Sequence, residues 1–191
     1  MKIKLGKLSV LTVLVSAIGL MSAFAASASA DSITCEISGS IKLSPGLTET
    51  PQVQNISITK HKGAALTACS GTETTVTGGN VNIHMKTEKA VTCAALKSTG
   101  EAVVETNAIF KWQPKGEGTE NSTGTFSMPL TEESVALGGT IATGSFPFSE
   151  DTISGTVKQS YIGGETCGVS SGHKKAKKVN KGSFTGSITI S

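Results

Sequence analysis

Val81-Asn82-Ile83-His84-Met85 places an apolar side chain at every second position, and the rhythm returns in Ile56 and Ile58, in Ala108, Phe110 and Trp112, and in Phe184, Ile188 and Ile190. A period of two belongs to a strand with one buried face, because successive side chains of an extended backbone leave on opposite sides. Threonine and valine, whose branched Cβ suits a pleated surface, dominate these segments. Alternation also favours antiparallel pairing, since parallel strands covered on both faces read as unbroken apolar runs. Turn signals stand between the segments: Pro45-Gly46, Gly78-Gly79-Asn80, Gly116-Glu117-Gly118, Gly138-Gly139, Gly163-Gly164 and the stretch 147–151. Their spacing predicts an all-β fold of roughly eight to ten antiparallel strands, either a β-sandwich or a closed β-barrel. Only 130–137 (LTEESVAL) has helical character, for a turn or two at most.

The first thirty residues read as something other than fold. Lys2, Lys4 and Lys7 precede an apolar run over 8–24, and small residues follow, ending Ala28-Ser29-Ala30. That order is the basic, apolar and small-residue sequence of a secretory signal, with cleavage expected between Ala30 and Asp31. The domain plan is therefore a signal peptide over 1–30 and a single β domain over 31–191. No later segment is apolar enough to span a bilayer as a helix.

Removing the leader changes the charge. The chain carries 17 basic residues, all lysine, against 14 acidic ones, for a formal +3. Three of those lysines are in the leader and every acid lies beyond it, so the mature chain is formally neutral. A nucleic-acid partner, which a basic balance would suggest, therefore loses its support. The absence of arginine also removes the side chain best shaped for bidentate anion recognition. What remains is a local excess: Lys174, Lys175, Lys177, Lys178 and Lys181 crowd one stretch, read as a solvated loop before the last strand. It is a candidate contact for an anionic cell-wall polymer or lipid head groups, each near-surface lysine adding about 1 kcal/mol at low salt. The competing explanation is that it merely balances an acidic remainder and keeps the loop soluble.

Cys35, Cys69, Cys93 and Cys167 all follow the leader, and an even number in an exported chain points to two disulfides. Four cysteines allow three pairings. The sequential one, Cys35–Cys69 with Cys93–Cys167, closes one loop in each half of the domain and is favoured, although sequence leaves the others open. No two cysteines are close enough for a zinc site of the C-x-x-C kind.

The pattern Cys35-x-x-x-Gly39-x-Ile41-x-Leu43-Ser44-Pro45-Gly46-Leu47 is followed by Cys69-Ser70-Gly71 after an Ile-Ser-Ile strand. A Cys93 segment then leads to Phe110-Lys111-Trp112, with Gly144-Ser145-Phe146 and a closing Gly182-Ser183-Phe184-Thr185-Gly186 further on. Together they resemble a group of small secreted β-rich proteins common in actinobacteria. The resemblance covers nearly all of the mature chain, and its most specific part is the L-S-P-G-L run. It implies an exported β-rich domain and, the group having no assigned activity, no catalytic residue. The lysine-only basic complement departs from what chains of such organisms usually carry.

Candidate chemistry is sparse. Gly168-Val169-Ser170-Ser171-Gly172 matches G-x-S-x-G, but a nucleophile elbow needs a helix after the serine and a well-separated histidine, and His173 follows at once. His61, His84 and His173 form no metal-ligand spacing, and His84 shares the exposed parity of Asn82 and Lys86. The adjacent acids Glu132-Glu133 and Glu150-Asp151 cannot by themselves flank a glycosidic bond, because neighbours on a strand face opposite ways. Trp112 shares parity with Ala108 and Phe110 and reads as core, while the sequons at Asn55 and Asn121 read as chance. The reading is thus an exported, non-enzymatic β domain without cofactor or metal, acting at or outside the cell surface as a binding or structural module. Two alternatives are a lipid or small-ligand carrier using a barrel lumen and a secreted hydrolase with a dispersed site.

Overall fold

The structure, a computed structural model, describes residues 31–58, 63–73, 75–97, 103–113, 121–143, 148–168 and 177–191, with 103–106 described by backbone alone. The leader over 1–30 lies outside the described residues. Among the described residues nine strands form one sheet: β1 (Ile33–Leu47), β2 (Asn55–Ile58), β3 (Ala64–Gly71), β4 (Gly78–Thr87), β5 (Val103–Gln113), β6 (Ser122–Ser127), β7 (Ser134–Ile141), β8 (Thr152–Tyr161) and β9 (Val179–Ile190). Each pairs antiparallel with its neighbours, and β9 returns to β1 along eleven paired positions, from Ile33↔Ile190 to Leu47↔Val179. The sheet is therefore closed, and the choice between sandwich and barrel falls to the barrel.

Two of the nine strands share one position. β2 pairs with β1 through Ile41↔Ile58 and with β4 through Ile58↔Ile83. β3 continues between the same partners through Ser38↔Ala65 and Ala64↔Val81. They are two halves of one interrupted stave, which makes an eight-stave up-and-down barrel. Closure leaves no long free edge for another chain to pair with.

Inside, the alternating residues form a single apolar cluster. Ile33, Ile37, Ile41 and Leu43 of β1, Ile83 of β4, Phe110 and Trp112 of β5, Phe126 of β6 and Phe184 of β9 all point inward and are almost fully buried. In a narrow eight-strand barrel such side chains fill the lumen. Room for them comes from inward-facing glycines on neighbouring staves. A Cβ on Gly39 would stand 2.7 Å from Phe184 Cε1 across the β1–β9 seam, and one on Gly139 would collide with the Thr125 carbonyl oxygen on β6. Gly139→Ala is expected to destabilise the barrel by about 1–3 kcal/mol in urea unfolding, the cost of overpacking a wall that cannot easily give. A change below about 0.5 kcal/mol, the scale of an ordinary surface substitution, would contradict this.

These glycines correct several expectations. Gly78-Gly79 and Gly138-Gly139, read as turns, lie within β4 and β7. Pro45-Gly46, also read as a turn, sits in β1, where the chain advances from Lys42 to Leu47 while β9 moves only from Lys181 to Val179. That bulge is held by the buried Gln54, whose Oε1 accepts the Gly46 N–H (2.7 Å) and whose Nε2 donates to the Gly46 carbonyl (3.3 Å). The stretch 130–137 is not helical: residues 131–133 bend and β7 follows, because Val135 and Leu137 turn inward against β8. Tertiary pairing overrides the weak local preference. Short 3₁₀ turns occur instead at Cys93–Lys97 and Gly164–Thr166.

Both ends of the barrel are covered, and each carries a disulfide. The pairs are Cys35–Cys69 and Cys93–Cys167, as sequential pairing anticipates. Cys35–Cys69 staples β1 to β3 near the end where β1 begins. At that end Phe148, from the β7–β8 connection, packs edge-on against Trp112 with ring centroids 5.2 Å apart. At the other end the β4–β5 connection crosses the mouth. Val91 pairs with Gln52, the Cys93 N–H donates to Thr48, and the Leu96 carbonyl accepts from the Glu132 N–H (3.0 Å) and the Thr131 hydroxyl (3.3 Å). Cys93 then joins Cys167 in the β8–β9 connection, which the strand order places on the opposite side of the barrel.

Candidate functional site: a cationic groove on the outer wall

Outward-facing residues of four adjoining staves come together near the mouth strapped by Cys93–Cys167. The register sets Lys181 of β9 opposite Lys42 of β1, Lys42 opposite Ser57 of β2, and Ser57 opposite His84 of β4. One step along, Ser44 faces Asn55 and Asn55 faces Lys86. Parity explains the orientation: Ile41, Leu43, Ile56, Ile83 and Met85 fill the interior, so their sequence neighbours must point out. Lys42, Ser44, Asn55, Ser57, His84 and Lys86 line a shallow groove of about 340 Å³ with no acidic side chain among its lining residues. Lysine ammonium groups and hydroxyl and amide donors side by side can hold anionic oxygens.

Of the lysine-rich stretch, Lys174 and Lys175 lie outside the described residues. Lys177 is anchored rather than free in a loop: it pairs with Cys167, and its carbonyl accepts the Gly168 N–H at 3.1 Å. Lys178 is exposed just before β9. Lys181 corrects the loop expectation, since it belongs to β9 and stands directly beside Lys42. Of the three described, it alone is paired in register with the groove wall. Lys42 and Lys86 were overlooked in sequence, where isolated lysines on alternating strands show no clustering until register aligns them.

The other candidates are not brought together. Gly168 is the only described member of the G-x-S-x-G run, and His61 and His173 lie outside the described residues. His84 is exposed on β4, as its parity implied. Glu132 sits at the strapped mouth, where its carboxylate accepts the Tyr161 N–H at 3.3 Å. Glu150 and Asp151 lie at the other end, accepting from the Thr143 hydroxyl and the Ser149 N–H, both at 3.0 Å. The length of the barrel separates the two acidic pairs. Among the described residues no three His, Cys, Asp or Glu side chains form a group that could hold a metal ion, and no helix is long and apolar enough to cross a membrane.

One buried polar cluster supports the strapped mouth. The Tyr161 hydroxyl donates to Gln159 Oε1, and Gln159 Nε2 donates to the Pro129 carbonyl at 2.6 Å. Burial, and secondarily the negative charge of Glu132, hold the Tyr161 hydroxyl protonated well above the ordinary tyrosine range. The native state therefore keeps a proton that the unfolded chain releases near pH 10, so this contribution is fully present below that pH and is lost as pH rises. Tyr161→Phe is expected to be less stable at neutral pH by about 1–3 kcal/mol, because Gln159 Oε1 loses its donor. Above pH 10 the variant should lose stability less steeply than wild type, by up to about 1.4 kcal/mol per pH unit. Urea unfolding from pH 7 to 11 checks both; parallel pH profiles would refute the assignment.

Fold and site together define a closed, eight-stave antiparallel β-barrel with two disulfides and a cationic groove on its outer wall. Two disulfides suit an oxidising, extracellular environment. No protein-family model, curated protein or solved structure matches the chain.

Proposed function

We propose that residues 1–30 export the chain as a signal peptide and that residues 31–191 act at or outside the cell surface as a non-enzymatic module that binds through its outer wall. The observation that carries this reading is the covering of both barrel ends over a filled interior, one by Phe148 on Trp112 and the other by a disulfide-strapped crossing. A lumenal carrier of lipid would have to displace Phe110, Phe126 and Phe184 from close packing, so the packing favours a rigid scaffold over a carrier. A hydrolase would need converging acids or histidines, and the described acidic pairs stand at opposite ends. Kinship with the small secreted actinobacterial proteins, carried by the L-S-P-G-L run, belongs to the same proposal, as does an anionic polymer of the cell wall as partner.

The test is to produce the full chain with its leader in a bacterial host and recover the mature protein. Intact-mass and N-terminal analysis should find Asp31 first and no thiol open to alkylation. Cytosolic protein with an uncut leader and reduced cysteines would overturn the proposal.

A further inference from the structure

We infer that the groove formed by Lys42, Asn55, Ser57, His84 and Lys86, extended by Lys181, binds a linear polymer of repeated phosphate groups laid across the strands. The inference rests on the reading of an extracellular binding module and names its ligand class. Its main support is a local cost in the barrel wall. Lys42 and Lys181 occupy directly opposed positions on neighbouring antiparallel strands, both outward, and like charges so placed repel. A wall selected for stability alone would set an acid or a neutral residue at one of them, as it sets Ser40 opposite Ser183 one step away. A bound anion converts that repulsion into shared attraction.

The geometry selects an extended chain. Staves stand about 4.8 Å apart, so the row Lys181, Lys42, Ser57, His84 runs across the strands for roughly 14 Å, with Lys86 displaced by one pleat. That is a line of separated donors rather than a cup closing on one phosphate. Lysine ammonium groups act as point charges without the planar fork of arginine, which suits phosphates repeated along a flexible chain better than one rigid anion. A bilayer surface is the less favoured source of phosphate: Ile56 and Met85, the apolar residues at the groove, are largely buried, and among the described residues a single strongly exposed apolar side chain, Ile162, whose N–H donates to the Lys181 carbonyl at 3.0 Å, stands at its Lys181 end.

The experiment uses disulfide-bonded mature protein and immobilised inorganic polyphosphate as probe, with phosphatidylglycerol vesicles as a second arm. Wild type should bind polyphosphate and release it with rising salt, because exposed charges are screened over about 10 Å at 0.1 M. A K42S/K86S/K181S variant should lose about tenfold in affinity, as expected for three exposed ion contacts. Its melting temperature should equal or exceed that of wild type, since the Lys42–Lys181 repulsion is gone. A K97S/K111S/K158S control removes the same charge from other exposed positions and should change affinity less than about twofold. Equal losses in the two triple variants, absence of polyphosphate binding by wild type, or binding to vesicles without binding to polyphosphate would each overturn the inference. Any of these results leaves the export and thiol test of the extracellular reading standing, so the two can fail separately.

Discussion

Alanine at both Cys93 and Cys167 is expected to lower the unfolding free energy by about 4.4 kcal/mol. The crosslink spans 74 residues, and the chain entropy released to the unfolded state grows with the logarithm of that span. The Cys35–Cys69 bridge spans 34 residues and joins adjacent staves, so its removal should cost somewhat less, about 3.8 kcal/mol. The two differ in kind as well. Cys93–Cys167 ties the crossing segment to the opposite side of the mouth and holds Val91, Ala95 and Leu96 over the interior. Its loss should therefore loosen the strapped end first. Hydrogen exchange at the Val91 amide, which donates to the Gln52 carbonyl in the same crossing segment, should accelerate more than at the β1–β9 seam. Urea unfolding of the two double variants should show the larger loss, and a steeper denaturant dependence than wild type, for C93A/C167A. A larger loss from C35A/C69A would refute the strap assignment.

Trp112→Ala should be comparably damaging, at about 3–5 kcal/mol. The indole stacks on Phe110 with ring centroids 5.3 Å apart, meets Phe148 edge-on, and donates from Nε1 to Ser122 Oγ at 2.9 Å. Truncation removes all three contacts and leaves a cavity beneath the cover formed by Phe148. Trp112→Phe keeps a ring between Phe110 and Phe148 and should cost about half as much or less. Calorimetric or urea unfolding distinguishes the pair. If both substitutions cost the same, ring stacking is not what holds that end of the barrel.

The groove was legible only in part. Parity along a strand identifies His84 and Lys86 as outward without any structure, since Ile83 and Met85 are apolar. What parity cannot show is that Lys181, near the end of the chain, stands beside Lys42, near its start. That juxtaposition depends on closure and on β1–β9 register. Conversely, the conspicuous lysine run suggests a single loop by proximity in sequence, whereas Lys181 belongs to the last strand. Glycine shows the same contrast. Gly-Gly pairs are strong turn signals in an open chain, yet at Gly79 and Gly139 a Cβ would run into the backbone of the neighbouring stave, at the carbonyl oxygens of Lys111 and Thr125.

Sequence by itself determined the strands, their antiparallel sense, the inward identity of residues such as Phe110 and Trp112, and the presence of two crosslinks. Each depends on the two-residue period or on chemistry carried by one residue type, both local properties. Tertiary structure alone decided that the sheet closes, that β2 and β3 share one stave, and that both mouths are covered. It also decided that lysines far apart in sequence meet on one wall. Those outcomes depend on register and on the volume available inside eight staves, which are set by residues distant in the chain acting at once.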